Sequence, residues 1–224
     1  DTHKQILTTQ YRMIENIGNL ISKVFYNGII DTGCNDDEKQ HGLSRYRGKS
    51  IVWFDTSANE KKSQKRTKGG SYINEEEKRI ILEILDDLKK TGELKGLDIG
   101  IITGYSGQKE LLRKSIKATG LDKIGSKIDI NTLDAFQGRE NDIIIYSTVR
   151  TRDSIGFQKE KERVNVAFSR AKKLLIACGG KNFFYIFDAQ DNKFVEIIDY
   201  ISEGEECEII QCDGGKLFER ESNS

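Results

Sequence analysis

The sequence predicts a three-layer α/β fold with a mainly parallel central sheet, on three observations. Short β-branched runs recur, and most are apolar almost throughout, as strands covered on both faces of a parallel sheet require. Helical patterns lie between these runs, so strand and helix alternate over more than half of the chain. The 224 residues carry 36 basic and 36 acidic side chains, 36% hydrophobic residues and no proline, which suits a folded domain with a real core.

In chain order, the first segment offers Gln10-Tyr11-Arg12-Met13 and then Phe25-Tyr26-x-Gly28. Residues 35 to 70 are the least periodic stretch, rich in charge, Ser and Gly, with Lys61, Lys62, Lys65, Arg66 and Lys68 close together. They read as a loop-rich insertion interrupted by a strand at Ile51 to Asp55. Asn74 then caps a helix in which Ile80, Ile81, Ile84, Leu85 and Leu88 recur at helical spacing, and Gly92 ends it. Strands follow at 98 to 103, 127 to 132, 142 to 147 and 173 to 178, with helices predicted from Gly107 to Gly120 and from about Glu160 to Lys172. The last of these helices puts Arg163 and Arg170 seven residues, nearly two turns, apart on one face. Residues 201 to 224 read as an acidic appendage, partly flexible, with a weak strand at Cys207 to Gln211.

No apolar run approaches the roughly 18 residues that a membrane span needs, and the polar start has no signal-peptide core. Cys34, Cys178, Cys207 and Cys212 are too few and too scattered for a disulfide framework, which points to reduced thiols and a cytoplasmic protein, or a nuclear one in a eukaryote. His3 and His41 complete no zinc pattern, so no metal is expected on this chain alone. The net charge is zero, but residues 106 to 173 hold 15 basic against 9 acidic side chains, and local fields are what a polyanion feels.

One apparent phosphate-binding motif fails. Gly42 to Ser50 reads G-x5-G-K-S, one residue too many for a P-loop, and Lys49 leads into a strand instead of opening a helix. In a parallel α/β sheet ligands gather beyond the carboxyl ends of the strands. The polar residues after the strands, Thr103-Gly104-Tyr105-x-x-Gln108, Thr132 to Asp142, Arg150 and Arg152, together with Arg12, Arg163 and Arg170, could then surround one polyanionic ligand.

Taken in order, these segments resemble the second RecA-like motor domain of superfamily 1 helicases, in the branch of the nonsense-mediated-decay helicase and senataxin. Gln10-Tyr11-Arg12-Met13 resembles motif IV, and Gly70-Ser71-Tyr72-Ile73-Asn74-Glu75 resembles the G-x-S-Y-x-N stretch. The strand end at Gly100 to Gln108 resembles the nucleic-acid motif that follows. Thr132-Leu133-Asp134-Ala135-Phe136-Gln137-Gly138-Arg139-Glu140-x-Asp142 resembles motif V, and Arg163 to Lys172 resembles motif VI, with Ile155-Gly156-Phe157 fitting between them. The family's His-Pro after motif IV is here Ile14-Glu15, and its Thr-Pro-Tyr is Thr103-Gly104-Tyr105, which gives up a preset φ.

The resemblance implies a RecA-like P-loop-NTPase fold that lacks its own P-loop, spanning residues 1 to 200. It further implies ATP with Mg2+ in a cleft against a first RecA-like domain that carries the P-loop, so the chain is expected to be part of a larger protein. Arg12 and Arg170 would be arginine fingers, Tyr11 would lie on adenine, and Gly138 and Glu140 would join the nucleotide site, with Glu140 on the ribose. Thr103, Tyr105 and Thr132 would touch the backbone of single-stranded RNA or DNA, with movement 5′ to 3′ and a monomeric motor. The competing reading is a degenerate, non-hydrolysing RecA-like module in a nucleic-acid processing or defence complex.

Overall fold

The structure, a computed structural model, describes residues 8–35, 39–59, 63–94, 96–136, 138–187 and 192–218. Its elements in chain order are β1 (Thr9–Gln10), α1 (Glu15–Tyr26), β2 (Asp31–Thr32), β3 (Ile51–Asp55), β4 (Gln64–Arg66), β5 (Tyr72–Asn74) and α2 (Glu75–Thr91). There follow β6 (Ile99–Thr103), α3 (Ser106–Ala118), β7 (Ile128–Thr132), β8 (Asn141–Ser147), α4 (Lys161–Phe168), β9 (Ala171–Gly179), α5 (Lys181–Phe184), α6 (Lys193–Glu203) and β10 (Cys207–Gln211).

Six strands form one sheet in the order β10-β3-β9-β8-β6-β7, and every neighbouring pair is parallel. Because strand side chains alternate, each strand feeds two cores. Ile51 and Trp53, Ile144 and Tyr146, and Leu175 and Ala177 pack on one face with α1, α4 and α6. Val52 and Phe54, Ile143 and Ile145, and Leu174 and Ile176 pack on the other with α2 and α3. These are the three layers that the sequence predicts.

Asn74 caps α2 as its sequence suggests, its side chain accepting the Glu77 N–H at 3.0 Å, and Gly92 closes the helix in a left-handed conformation. Three features differ from the sequence reading. The strand at Ile51–Asp55 is no interruption of a loop segment but lies inside the sheet between β10 and β9. Cys207–Gln211 is the sheet's edge strand, paired with β3 along its length, and α6 runs across residue 200, so the segment read as an appendage completes the sheet. The helix expected to reach Lys172 ends at Phe168, and β9 begins at Ala171, because Ala171 is already paired with Asn141 of β8. Arg163 and Arg170 therefore do not share a helical face.

Lys49 donates to the carbonyls of Glu205 (2.7 Å) and Cys207 (3.1 Å), tying the start of β3 to the start of β10. A lysine used in this way holds strands, in keeping with the rejection of the P-loop-like spacing. No helix among the described residues is long and apolar enough to cross a membrane.

Candidate functional site

The predicted residues assemble as two groups at opposite ends of the sheet, not around one ligand. The first group gathers at the amino ends of β8 and β9. Arg12, just after β1, donates from Nε to Glu140 Oε2 at 2.6 Å, and Lys172 Nζ stands 3.2 Å from the other oxygen. These contacts, led by the hydrogen bond from Arg12, hold the Glu140 carboxyl below its usual range.

Arg170 occupies the turn between α4 and β9, with Nε on the Val166 carbonyl (2.9 Å) and a longer contact to the Arg139 carbonyl (3.4 Å). Among the described residues it makes no ion pair, whereas Arg12 and Lys172 both face Glu140. Burial, and then the nearby Arg12 guanidinium, hold Arg170 below its ordinary value. Two cations thus share one carboxylate while Arg170 stands near them without one among the described residues, which leaves the corner net positive and suited to an anion.

Local folding fixes this corner. The Gln10 side chain accepts the Arg12 and Met13 N–H groups (2.9 and 2.8 Å) and donates to Thr32 Oγ1 (2.8 Å), so β1 and β2 turn the Tyr11-Arg12 peptide outward. Lys39 Nζ donates to the Tyr11 and Arg12 carbonyls (2.5 and 2.6 Å). The Tyr11 ring lies over Gly33, where any side chain would collide with it, and is 70% exposed. An aromatic ring so placed offers a free stacking face. Gly138 sits in the left-handed region (φ 81°) two residues before Glu140, while Gln137 lies outside the described residues.

The second group stands at the carboxyl ends of β6, β7 and β8. Thr103 is fully buried, with its hydroxyl accepting the Tyr105 N–H at 3.4 Å. Tyr105 is also buried, edge-on to Tyr72 (5.8 Å between centroids) and against Phe157 (5.9 Å), and burial pushes its hydroxyl up to about 12. Gly156 has φ 60°, and a Cβ there would fall 2.4 Å from the Tyr105 hydroxyl, so the close approach requires glycine. Two of the three side chains expected to touch nucleic acid, Thr103 and Tyr105, therefore lie beneath the surface. Apolar packing against Tyr72 and Phe157 outweighs exposure of the ring. Thr132 is half-buried at the end of β7. What stands out on this edge is Phe157, 51% exposed, with Arg163 over its ring at 5.5 Å and ion-paired to Glu160 (2.9 Å) and Asp134 (3.5 Å).

The segment from Leu133 to Glu140 leaves the carboxyl end of β7 and returns to the amino end of β8, with Leu133 and Phe136 buried in the core on the way. The chain thus runs from one group to the other within eight residues, anchored at Leu133 and Phe136.

Beneath the second group lies a polar network that sequence reasoning missed. Glu77, fully buried in the first turn of α2, accepts from Ser147 Oγ (2.5 Å), Thr148 Oγ1 (3.0 Å), Asn74 Nδ2 (3.1 Å) and the Val149 N–H (2.9 Å). Gln108 bridges the Asn74 backbone to Ser147. Val149 is held at φ 68°, a conformation that a β-branched residue rarely accepts, and Glu77 is the group that holds its N–H. The Asn74-x-x-Glu77 spacing of a capping box was the available signal, but it marks a helix start and not a partner on a distant strand.

Burial raises the Glu77 carboxyl from 4.5 to about 7 against these hydrogen bonds. The native state then binds the extra proton between those values, so Glu77 contributes stability that is present below about 4.5 and is lost as pH rises through about 7. We expect Glu77→Gln to remove this dependence. The difference in melting temperature between the variant and the parent should grow in the variant's favour from pH 5 to pH 8. A constant difference across that range would show that Glu77 does not titrate there.

The chain matches the family model described as AAA domain over residues 1–182. It is 32% identical over 213 residues to an uncharacterized ATP-dependent helicase of Methanocaldococcus jannaschii, covering 90% of this chain and 30% of that protein. Helicase sen1 of Schizosaccharomyces pombe is 32% identical over 218 residues (89% of this chain, 12% of that protein). Regulator of nonsense transcripts 1 of Caenorhabditis elegans is 32% identical over 181 residues (77% of this chain, 17% of that protein). The chain therefore spans less than a third of the length of these relatives. With the sheet order, the motifs and these matches together, the chain belongs to this AAA domain family, as a C-terminal, second RecA-like domain of the superfamily 1 helicase branch that contains the nonsense-transcript regulator and sen1 helicases.

Proposed function

We propose that this chain is the C-terminal motor half of an ATP-dependent nucleic-acid helicase or translocase. Arg12 and Arg170 serve as arginine fingers toward the terminal phosphate of ATP, which is held with Mg2+ mainly by a first RecA-like domain. The observation that carries this reading is the Arg170 guanidinium, ordered at an exposed corner beside Arg12 with no carboxylate of its own among the described residues. A planar, always-charged donor suits the charge on a transferring phosphoryl group. Tyr11 offers its exposed ring to adenine, and Gly138 lets the chain pass close to the nucleotide. Glu140, which holds Arg12 and Lys172, exchanges one of these partners for the ribose hydroxyl when nucleotide enters.

At the other end, Thr132 and Phe157 meet single-stranded RNA or DNA, while Thr103 and Tyr105 support that surface from below. The Leu133 to Glu140 segment carries closure at the nucleotide corner to the nucleic-acid edge, and repeated closure and release moves the motor 5′ to 3′ as a monomer.

The purified 224-residue chain is expected to fold but not to turn over ATP, because its fingers face no P-loop. It should bind single strands weakly, with affinity that falls steeply with salt. Turnover by the chain alone that disappears with Lys49→Ala would overturn both this reading and the structural role of Lys49. Tight binding that ignores salt would overturn the nucleic-acid edge.

A further inference from the structure

The β4–β5 hairpin carries none of the predicted site residues, although its second strand lies within the Gly70 to Glu75 motif. From Ser63 to Asn74 it carries Lys65, Arg66 and Lys68 and no acidic residue. All three cations are exposed, and their attachments are slight. Lys65 stands 4.0 Å from Glu75, which is already paired with Lys78 at 2.6 Å, and among the described residues Arg66 reaches the Gly70 carbonyl at 3.4 Å and no carboxylate. The turn itself is ordered, with the Thr67 N–H on the Ser71 carbonyl (2.8 Å) and the Gly70 N–H on Thr67 (3.0 Å).

The base of the hairpin is fastened to the carboxyl edge of the sheet. Gln64 accepts the Thr151 N–H at 2.9 Å through its side chain and an Arg152 contact at 3.3 Å through its carbonyl. Ser71 Oγ accepts the Gly107 N–H at the start of α3 (3.0 Å). The Tyr72 ring packs edge-on to Tyr105 and lies under the Arg150 guanidinium at 4.0 Å. The fastened base thus connects the cationic hairpin, through Tyr72 and then Tyr105, to Phe157, whose side chain is exposed on the same edge. Cations on the same edge as an exposed aromatic side chain fit a nucleic acid, which offers phosphates and bases together, better than an acidic polypeptide, which offers only charge.

We propose that the β4–β5 hairpin is a phosphate-binding arm, across which the backbone of a single strand continues from the sheet edge onto Lys65, Arg66 and Lys68. This rests on the nucleic-acid reading above and assigns that reading a second, separate element. The arm supplies affinity and position without reading sequence.

The test measures binding of a labelled single-stranded oligonucleotide to the 224-residue chain by fluorescence anisotropy, over roughly 50 to 200 mM salt. The parent is compared with a Lys65→Gln, Arg66→Gln, Lys68→Gln triple variant, with Lys68→Glu alone at the exposed turn, and with Phe157→Ala. Three lost phosphate contacts should reduce the slope of log affinity against log salt by roughly 2. Lys68→Glu should weaken binding in the same direction, and Phe157→Ala should weaken binding with the slope unchanged. Melting temperatures of the two hairpin variants should match the parent, since the replaced side chains are exposed. If the parent binds and Phe157→Ala weakens it, but the hairpin variants keep the parent's slope and affinity, the arm is refuted and the nucleic-acid edge stands. No binding by the parent at 50 mM salt would refute both. Polyglutamate that binds as tightly as the oligonucleotide and is lost in the triple variant would assign the hairpin to an acidic protein partner instead.

Discussion

Arg170→Lys, in a protein that joins this domain to its P-loop domain, is expected to lower ATP turnover by about 10³ to 10⁵ while leaving nucleotide binding nearly intact. Lysine keeps the charge but replaces a planar fork by a compact point donor, so attraction to bound nucleotide survives and transition-state geometry does not. The site sharpens this expectation. Arg170 is held by carbonyls at 2.9 and 3.4 Å and by no acid among the described residues, so its replacement breaks no ion pair that could account for a large loss. Arg163 is the internal control. It lies near the opposite end of α4, paired with Glu160 and Asp134, and Arg163→Lys should keep turnover within about tenfold of the parent, as loss of an exposed ion pair is worth only about 0 to 1 kcal/mol. Steady-state turnover and equilibrium nucleotide binding, measured on both variants, decide the matter. Turnover by Arg170→Lys within tenfold of the parent would remove the finger assignment.

Trp53→Ala should be the most damaging single change to the fold. Trp53 is fully buried at the centre of β3, donates from its indole to the Gly179 carbonyl at 2.8 Å, and packs edge-on to Phe184 (6.1 Å) and Phe194 (6.2 Å). Emptying such a site costs about 3 to 5 kcal/mol, against roughly 5 to 15 kcal/mol of total stability for a domain. For a chain of this length that corresponds to a melting temperature lower by roughly 6 to 20 °C, or to a chain that does not fold at 37 °C. Ile29→Ala, at an exposed position, should stay within about 0.5 kcal/mol of the parent. The comparison also tests the placement of residues 51 to 55. A strand inside an appended insertion would tolerate the loss of Trp53, whereas the strand between β9 and β10 cannot.

The sequence by itself determined the class of fold, because parallel strands buried on both faces must be apolar almost throughout, and Ile99 to Thr103 and Ile143 to Tyr146 are. It determined the start and stop of α2, since Asn74 and Gly92 act through local backbone geometry that needs no tertiary partner. It also determined the family, through motifs whose order survives in one dimension.

Tertiary structure alone decided three things. Cys207–Gln211 completes the sheet because its free edge finds β3, some 150 residues earlier, and no local pattern encodes a partner at that separation. The residues that looked like one ligand shell are divided between the two ends of the sheet, because Glu140 and Arg170 immediately precede β8 and β9, whose first residues Asn141 and Ala171 pair, while Thr103 and Thr132 close β6 and β7 at the other end. Glu77 follows Glu75 and Glu76 in sequence, and nothing in that local run sets it apart from them. It is buried only because Ser147, Thr148 and Val149 arrive at the end of β8 with donors that water would otherwise satisfy. Local periodicity records which face of an element is apolar, while the pairing of distant edges and buried charges depends on contacts that form only when the layers close.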